Sequence, residues 1–434
     1  MRKNAILFVS VIFVFVNCYV TSFAKTENVE SSIKHIVNTY FDGYFKSFVT
    51  LESSIPDNIL VKNSNVLFDE MILESHLELY KLSNLRYINY NFNISYNDII
   101  VEKNSALVSL LLDANYEYSN APGMESGMYN INYNIGLTYK NGDWLINQIN
   151  TTRKDFDHYK ETFKQQKEKK LSQHTYLLDI STDIIDYQVV REVKSIKAKE
   201  MDFMFSPENN LIANKKDFKT VSSQYTTRAS TFSYNVPRGI SYAYRFAKKS
   251  SGDTSFFYTA NSDCTNFVSQ CVWASYGGYI EGNDTQTSSN VSNKVRMVNT
   301  GNVNTSWYAG SGGGTPYWES VESFWSYTTM SKSKGPNGTG DNNNGLYTNI
   351  SPYSINLGDV LQFYKSSKGE YTHSVYVTYK ISAPPGSGGG YENIYVSQHS
   401  DPYKNRNLTD LIWSFGNANC KMRRISFGSA TFDN

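Results

Sequence analysis

Between residues 88 and 146 apolar side chains recur at every second position, and this repeat limits the first part of the chain more than any other feature. Ile88, Tyr90, Phe92 and Ile94 alternate with Asn89, Asn91 and Asn93; later, Tyr129, Ile131, Tyr133, Ile135, Leu137 and Tyr139 alternate with small or polar residues. A period of two turns one face of a strand to a core and the other to water. Residues 106–118 read as a further strand between these runs. Asn141-Gly142 supplies a tight hairpin turn into Trp144-Leu145-Ile146. Ahead of the strands the period is helical: Ile33, Val37, Tyr40, Phe41, Tyr44 and Phe48 trace one helix face, and a second helix is predicted over residues 66–81. Helices followed by an antiparallel meander call for an α+β cone, with helices on one face of a curved sheet. Residues 25–154 hold this domain. It carries no acid pair or metal-ligand spacing and reads as a binding or spacer module.

The chemistry-bearing residues come later. Asp263 precedes Cys264, and Phe267, Val268, Cys271, Val272 and Ser275 continue at helical spacing until Gly277-Gly278 stops the helix. Asp263 is suited to capping that helix. Cys264 is then expected in the first turn, where unpaired N–H groups and the helix dipole favour a thiolate and can hold an oxyanion. The alternative is a small buried core cysteine. Cys271, two turns along the same helix, lies beyond disulfide reach of Cys264 and reads as core. Cys420 reads as core or as a partner for Cys271. His373 opens a β-branched and aromatic strand, and His399 closes another, Ile394-Tyr395-Val396-Ser397-Gln398-His399. Joined by the turn around Pro384-Pro385-Gly386, these strands are expected to be antiparallel neighbours. A nucleophile, a base and a third polar group form the constellation of covalent acyl transfer. Cys264, His373 and His399 are therefore the candidate catalytic residues. His35, His76, His158 and His174 fall on amphipathic or charged segments and read as ordinary surface or core residues.

The segments DCTNFVSQC, LGDVLQFY, THSVYVTY and YVSQHSDPYKNRNL resemble the bacterial putative-amidase domain family, a relative of the NlpC-type hydrolases in the papain-like superfamily. Residues 234–243 resemble that family's opening helix. The resemblance covers about the last 200 residues. It implies a papain-like cysteine hydrolase domain over residues 231–434, with Cys264 as nucleophile, His373 as base and His399 in the third, orienting position. The N-terminal pattern resembles the cystatin-like or nuclear-transport-factor-like cone. Residues 155–230, charged and less regular, read as a connector with partial structure. Every candidate catalytic residue lies after Ala229, so the N-terminal domain reads as separable from the chemistry.

The first 24 residues read as a secretory signal: Arg2-Lys3, an apolar run from Ala5 to Val16, and Ser22-Phe23-Ala24. That run is short for a membrane span, and Cys18 follows Asn17, a poor lipidation context. The expected location is outside the cell or on a bacterial cell wall, with no stable membrane insertion after cleavage. Three cysteines then remain, too few for a disulfide scaffold. A net charge of +1 gives no pull toward nucleic acid. Gly310 to Gly314 lacks the Lys-Ser/Thr of a phosphate loop, and neither a cofactor nor a metal is called for. Trp307, Trp318 and Trp325 read as core before cleft. The expected substrate is an amide or peptide, in particular the peptides of peptidoglycan. The alternatives are acyl transfer to an amine at the same site and an inactive secreted wall-binding protein.

Overall fold

The structure, a computed structural model, describes residues 29–173, 182–206, 230–248, 256–258, 263–382, 390–416 and 419–433. Helix α1 spans residues 29–50 and buries Ile33, Val37, Phe41, Phe45 and Phe48. Helix α2 (Ser64–Leu82) starts where the Asn63 side chain accepts a hydrogen bond from the Val66 N–H. Strands β1 (Tyr87–Glu102), β2 (Ser105–Tyr118), β3 (Glu125–Lys140) and β4 (Asp143–Thr151) follow as an antiparallel meander. Asn141 and Gly142 turn the last hairpin with φ of 56° and 99°, the pair of left-handed residues that a tight hairpin needs. Most apolar members of the alternations point inward, Val108, Leu110, Leu112, Ile131, Tyr133 and Ile135 being buried against α1, whereas Ile88 and Tyr139, at the ends of their runs, are exposed. The chain is α+β, as its periodicities require.

The C-terminal part adds strands β5 (Gly338–Asp341), β6 (Val360–Lys365), β7 (Glu370–Lys380), β8 (Ile394–Gln398), β9 (Tyr403–Asn407) and β10 (Met422–Phe427). These join the meander in one ten-stranded sheet of order β1-β2-β3-β9-β8-β7-β6-β10-β5, with β4 also on β3. Strand β3 serves two neighbours. Its start pairs Gly127 with Lys404 and Met128 with Tyr403 of β9, while its later part, from Tyr133 on, pairs with β4. The strands of His373 and His399 are antiparallel neighbours, with Tyr376 opposite Ser397.

Residues 157–204 contain two helices, α3 (Asp157–Gln173) and α4 (Thr182–Met204). Leu171, Ile184 and Phe203 are exposed, but Tyr159, Ile185, Val189 and Val193 share a core with Leu361, Phe363, Val375, Val377 and Trp413. Trp413, on helix α7 (Leu408–Ser414, numbered after α5 and α6 below), donates its indole N–H to the Tyr159 hydroxyl at 2.8 Å. The segment before the C-terminal domain is thus part of that domain's core.

A buried ionic cluster ties the same parts together. Asp155 accepts from Arg153 Nη2 at 2.8 Å, Arg406 Nη1 at 2.7 Å and the Tyr403 hydroxyl at 2.7 Å. Arg406 also donates to Asp410 Oδ2 at 2.7 Å, and Arg153 to the Tyr44 hydroxyl at 2.9 Å. Two guanidinium groups meet two carboxylates, which is how charges survive burial.

On the opposite face of the sheet lie α5 (Val236–Phe246) and α6 (Cys264–Ser275). They approach β7 so closely that a Cβ added at Gly239 would collide with Ser275 Oγ and the Tyr376 hydroxyl. No helix of the described residues is long and apolar enough to cross a membrane.

Candidate active site

All twelve residues of α6 are buried, so the helix runs through the core and presents only its first turn to a cavity. Asp263 does not cap it: its side chain makes no bond to the first-turn N–H groups. The carboxylate instead accepts from Asn266 Nδ2 at 2.7 Å and lies 2.6 Å from His399 Nδ1. Two side-chain partners outcompete the backbone for its two oxygens. The helix ends at Gly277, at φ 98°, as the sequence indicates.

Cys264 is 1 % exposed. Its sulfur lies 3.8 Å from the Thr372 carbonyl and 3.8 Å from Thr265 Oγ1. Behind it a polar chain fixes the strand: Thr265 Oγ1 to Ser374 Oγ at 3.0 Å, Gln362 Nε2 to Ser374 Oγ at 3.1 Å, and Arg423 Nε to Gln362 Oε1 at 2.7 Å. Burial pushes the thiol above its ordinary value, against the hydrogen bonds of Ser374 and Thr265 and the Lys154 charge, which pull it down. Desolvation thus works against the thiolate that the helix start is expected to favour. Cys271 and Cys420 are buried and unbonded to one another, Cys271 under α6 and Cys420 in the core on the other face of the sheet.

His373 sits near the start of β7, opposite Phe363, with its ring stacked on Phe415 at 5.4 Å and 15°. Burial lowers it to about 3, so the imidazole is neutral at any ordinary pH. Its Nε2 is buried without a hydrogen-bond partner. The side chain beside it is Gln398, close enough to raise the histidine's pKa. The Gln398 amide donates to the Asp401 carbonyl at 3.1 Å, and its Oε1 is likewise buried and unpartnered. These two orphaned atoms suit one another as donor and acceptor.

His399 is engaged elsewhere. Its Nδ1 lies 2.6 Å from Asp263 Oδ2, its Nε2 2.6 Å from the Phe246 carbonyl, and its ring stacks on Phe267 at 4.1 Å. The expectation that it holds the far nitrogen of His373 does not fit this geometry. The reason is parity. With Tyr376 opposite Ser397, His399 falls on the face of Ser374 and Tyr376, toward α6, whereas Gln398 falls on the face of Val375 and His373. His399 instead anchors the start of α6 through Asp263.

Cys264, Thr372 and His373 line one cavity of about 370 Å³. Its far wall is α3 and the turn before it, including Lys154, Asp157, His158 and Glu161. His158, read from the sequence as an ordinary surface or core residue, stands in a charged stretch with no neighbouring signal for a place on this cavity. Its Nδ1 lies 3.1 Å from the Asp155 carbonyl; burial, with the Lys197 charge, holds it well below the usual histidine range. Trp307 and Trp318 are core residues; the Trp318 indole donates to Asn266 Oδ1 at 2.8 Å. Arg423 lies over the ring of Trp325, 4.4 Å from its centroid. His76 is buried, and His174 and Cys18 fall outside the described residues. No group of three or more His, Cys, Asp or Glu side chains able to hold a metal occurs among the described residues.

The Cys264 thiol and the His373 imidazole line one cavity. Residues 233–423, which include Cys264, His373 and His399, match the model of a family described as "Putative amidase domain", and this supports a hydrolase acting on amide bonds. No curated protein matches the chain. Two solved structures are similar to parts of it. One is the intermembrane space region of chloroplast protein ARC6, at 15% identity and TM-score 0.20, covering 28% of this chain and 94% of that one. The other is the Kfla4162 protein from Kribbella flavida, at 11% identity and TM-score 0.21, covering 29% and 93%. Scores this low have no bearing on fold or function.

Proposed function

We propose that the protein hydrolyses amide bonds through a Cys264 thioester. His373 takes the thiol proton as Sγ attacks the carbonyl carbon; the C–N bond breaks, the amine leaves with that proton, and water then cleaves the thioester with His373 again as base. The observation that carries this reading is the presence of Cys264 and His373 on one cavity, the first at a helix start, the second a neutral imidazole. Since burial favours the neutral thiol, proton transfer accompanies attack rather than preceding it. In this reading Gln398 Oε1 accepts the His373 Nε2 proton, which leaves Nδ1 to act as the base. His399, with Asp263, holds the helix that carries Cys264.

The N-terminal sequence favours export, and the family resemblance favours the peptides of a bacterial wall as substrate. Incubating the protein with purified wall fragments and reading the products by mass spectrometry tests both parts. Cleaved amide bonds that disappear in Cys264→Ala would sustain the reading. Full turnover by Cys264→Ser would refute the cysteine mechanism.

A further inference from the structure

Four lysines and two acids line the cavity, and they do not balance. Asp157 and Glu161, on α3, both point to Lys365 at the end of β6, at 2.9 and 3.4 Å, and Ser367 donates to Glu161 at 3.0 Å. Lys197 is matched by Glu200 at 2.9 Å and lies over the Tyr159 ring. The ammonium groups of Lys154 and Lys368 form no ion pair among the described residues. Both side chains are exposed, so they bring two cations without an ion-pair partner to the open side of a cavity of about 370 Å³.

Position adds to the count. Lys154 stands where its charge reaches both reacting groups, lowering the thiol of Cys264 and the imidazole of His373. A carboxyl beside this residue is Asp401, whose Oδ2 accepts from the Lys154 backbone N–H at 2.6 Å. Burial, and after it the negative charge of Asp155, raise Asp401 to about 7 against the Lys154 charge that lowers it, so near neutral pH it is only partly ionised. Lys368 lies in the β6–β7 turn at the rim of the same cavity. A cation left unmatched beside a reaction centre favours an anionic ligand group, because an incoming carboxylate completes the pair that the protein leaves open.

We propose that the substrate carries a free carboxylate, received by Lys154 beside the scissile amide with Lys368 guiding it in at the rim. The inference rests on Cys264 being the nucleophile. It also assigns part of the specificity to residue 154, outside the segment that matches the amidase family.

The test uses two alkylating reagents that differ in one charge. Iodoacetate and iodoacetamide both form an Sγ–C bond and release iodide, so the ratio of their rates at one pH cancels any change in thiol ionisation. In the intact protein the iodoacetate/iodoacetamide ratio at Cys264 should exceed that of N-acetylcysteine by about two- to fivefold, the range of a partly exposed ion pair. Lys154→Gln should return it to the simple-thiol value, Lys368→Gln should lower it less, and about 1 M salt should erode it in the unaltered protein. Protection of Cys264 against iodoacetamide by N-acetylalanine would place the carboxylate at a chain end, and protection by N-acetylglutamic acid α-amide on a side chain; protection by neither counts against the proposal. Labelling by both reagents at the simple-thiol ratio, unmoved by salt, would overturn it while leaving the cysteine mechanism standing. Failure of both reagents to label Cys264 would overturn the mechanism and this inference with it.

Discussion

Asp155→Ala should destabilise the protein far more than loss of an ordinary ion pair. The carboxylate is 3 % exposed and accepts from Arg153 Nε at 3.3 Å, Arg153 Nη2 at 2.8 Å, Arg406 Nη1 at 2.7 Å and the Tyr403 hydroxyl at 2.7 Å. Without it Arg406 keeps Asp410 and Ser414, but Arg153, 5 % exposed, keeps the hydroxyls of tyrosines such as Tyr44 and no ion pair among the described residues. A buried guanidinium without an anion costs about 3–5 kcal/mol. Urea unfolding followed by tryptophan fluorescence should show a loss of that size, with Trp413 in the core that adjoins the cluster. The sign with pH is also fixed. Burial pushes the carboxyl up, but Arg406 and Arg153 outweigh it and hold the group below its ordinary 3.8. A depressed carboxyl stabilises above the unfolded value and ceases to do so as pH falls through the folded one. The gap between the unaltered protein and Asp155→Ala should therefore be full at neutral pH and close as pH falls below about 4. A loss under about 1 kcal/mol at neutral pH, or a gap that stays constant into acid, would refute the view that this cluster is a net tie.

Gln398→Leu should lower kcat by about tenfold with little change in KM and shift the acid limb of the pH–rate profile, whereas Gln398→Glu should retain most activity; equal damage from both variants would show a packing role only. Alkylation of Cys264 by iodoacetamide should still be climbing at about pH 9, since burial raises the thiol and the thiolate appears only as pH passes the raised value; a plateau below neutrality would mean a preformed thiolate. A chain beginning at Arg228 should be insoluble or molten by near-UV circular dichroism, because it loses Tyr159, Val189 and Val193 from the core beneath β6 and β7 and Asp155 from Arg406; a folded, active product would contradict the shared core. His399→Ala should cost about 1–3 kcal/mol through the Asp263 and Phe246 partners it leaves behind, measured by the same urea unfolding.

The meander is legible in the sequence because alternation over Ile88–Ile94 and Tyr129–Tyr139 states both conformation and facing. The α6 helix is legible for the same reason, from Phe267, Val268, Cys271 and Val272. Helix α3 is not, since Tyr159 and Phe163 are its apolar signal amid the lysines of residues 164–170, and only the distant Trp413 gives Tyr159 its place. The relation of Gln398 and His399 to His373 depends on cross-strand register, which local pattern leaves open, and a shift of one residue exchanges their faces. The environment of Cys264 shows a similar limit. A helix start is visible in sequence and lowers a thiol, but the desolvation that opposes it comes from contacts such as Thr372 and Val321, far along the chain.

Strand β3 has a consequence for how the molecule is made. Its first residues pair with Lys404 and Tyr403, so this stretch of ladder stays open until almost the whole polypeptide exists. Until then the strand offers bare N–H and C=O groups to any other extended chain, and Asp155 and Arg153 wait for Arg406. Ribosome-tethered N-terminal fragments ought to be sticky and protease-sensitive, maturing only on release, and production should respond to chaperone supply more than to translation speed through the first half. A mutation that weakens the β3–β9 joint would then appear first as lost yield, with the molecules that do mature working normally.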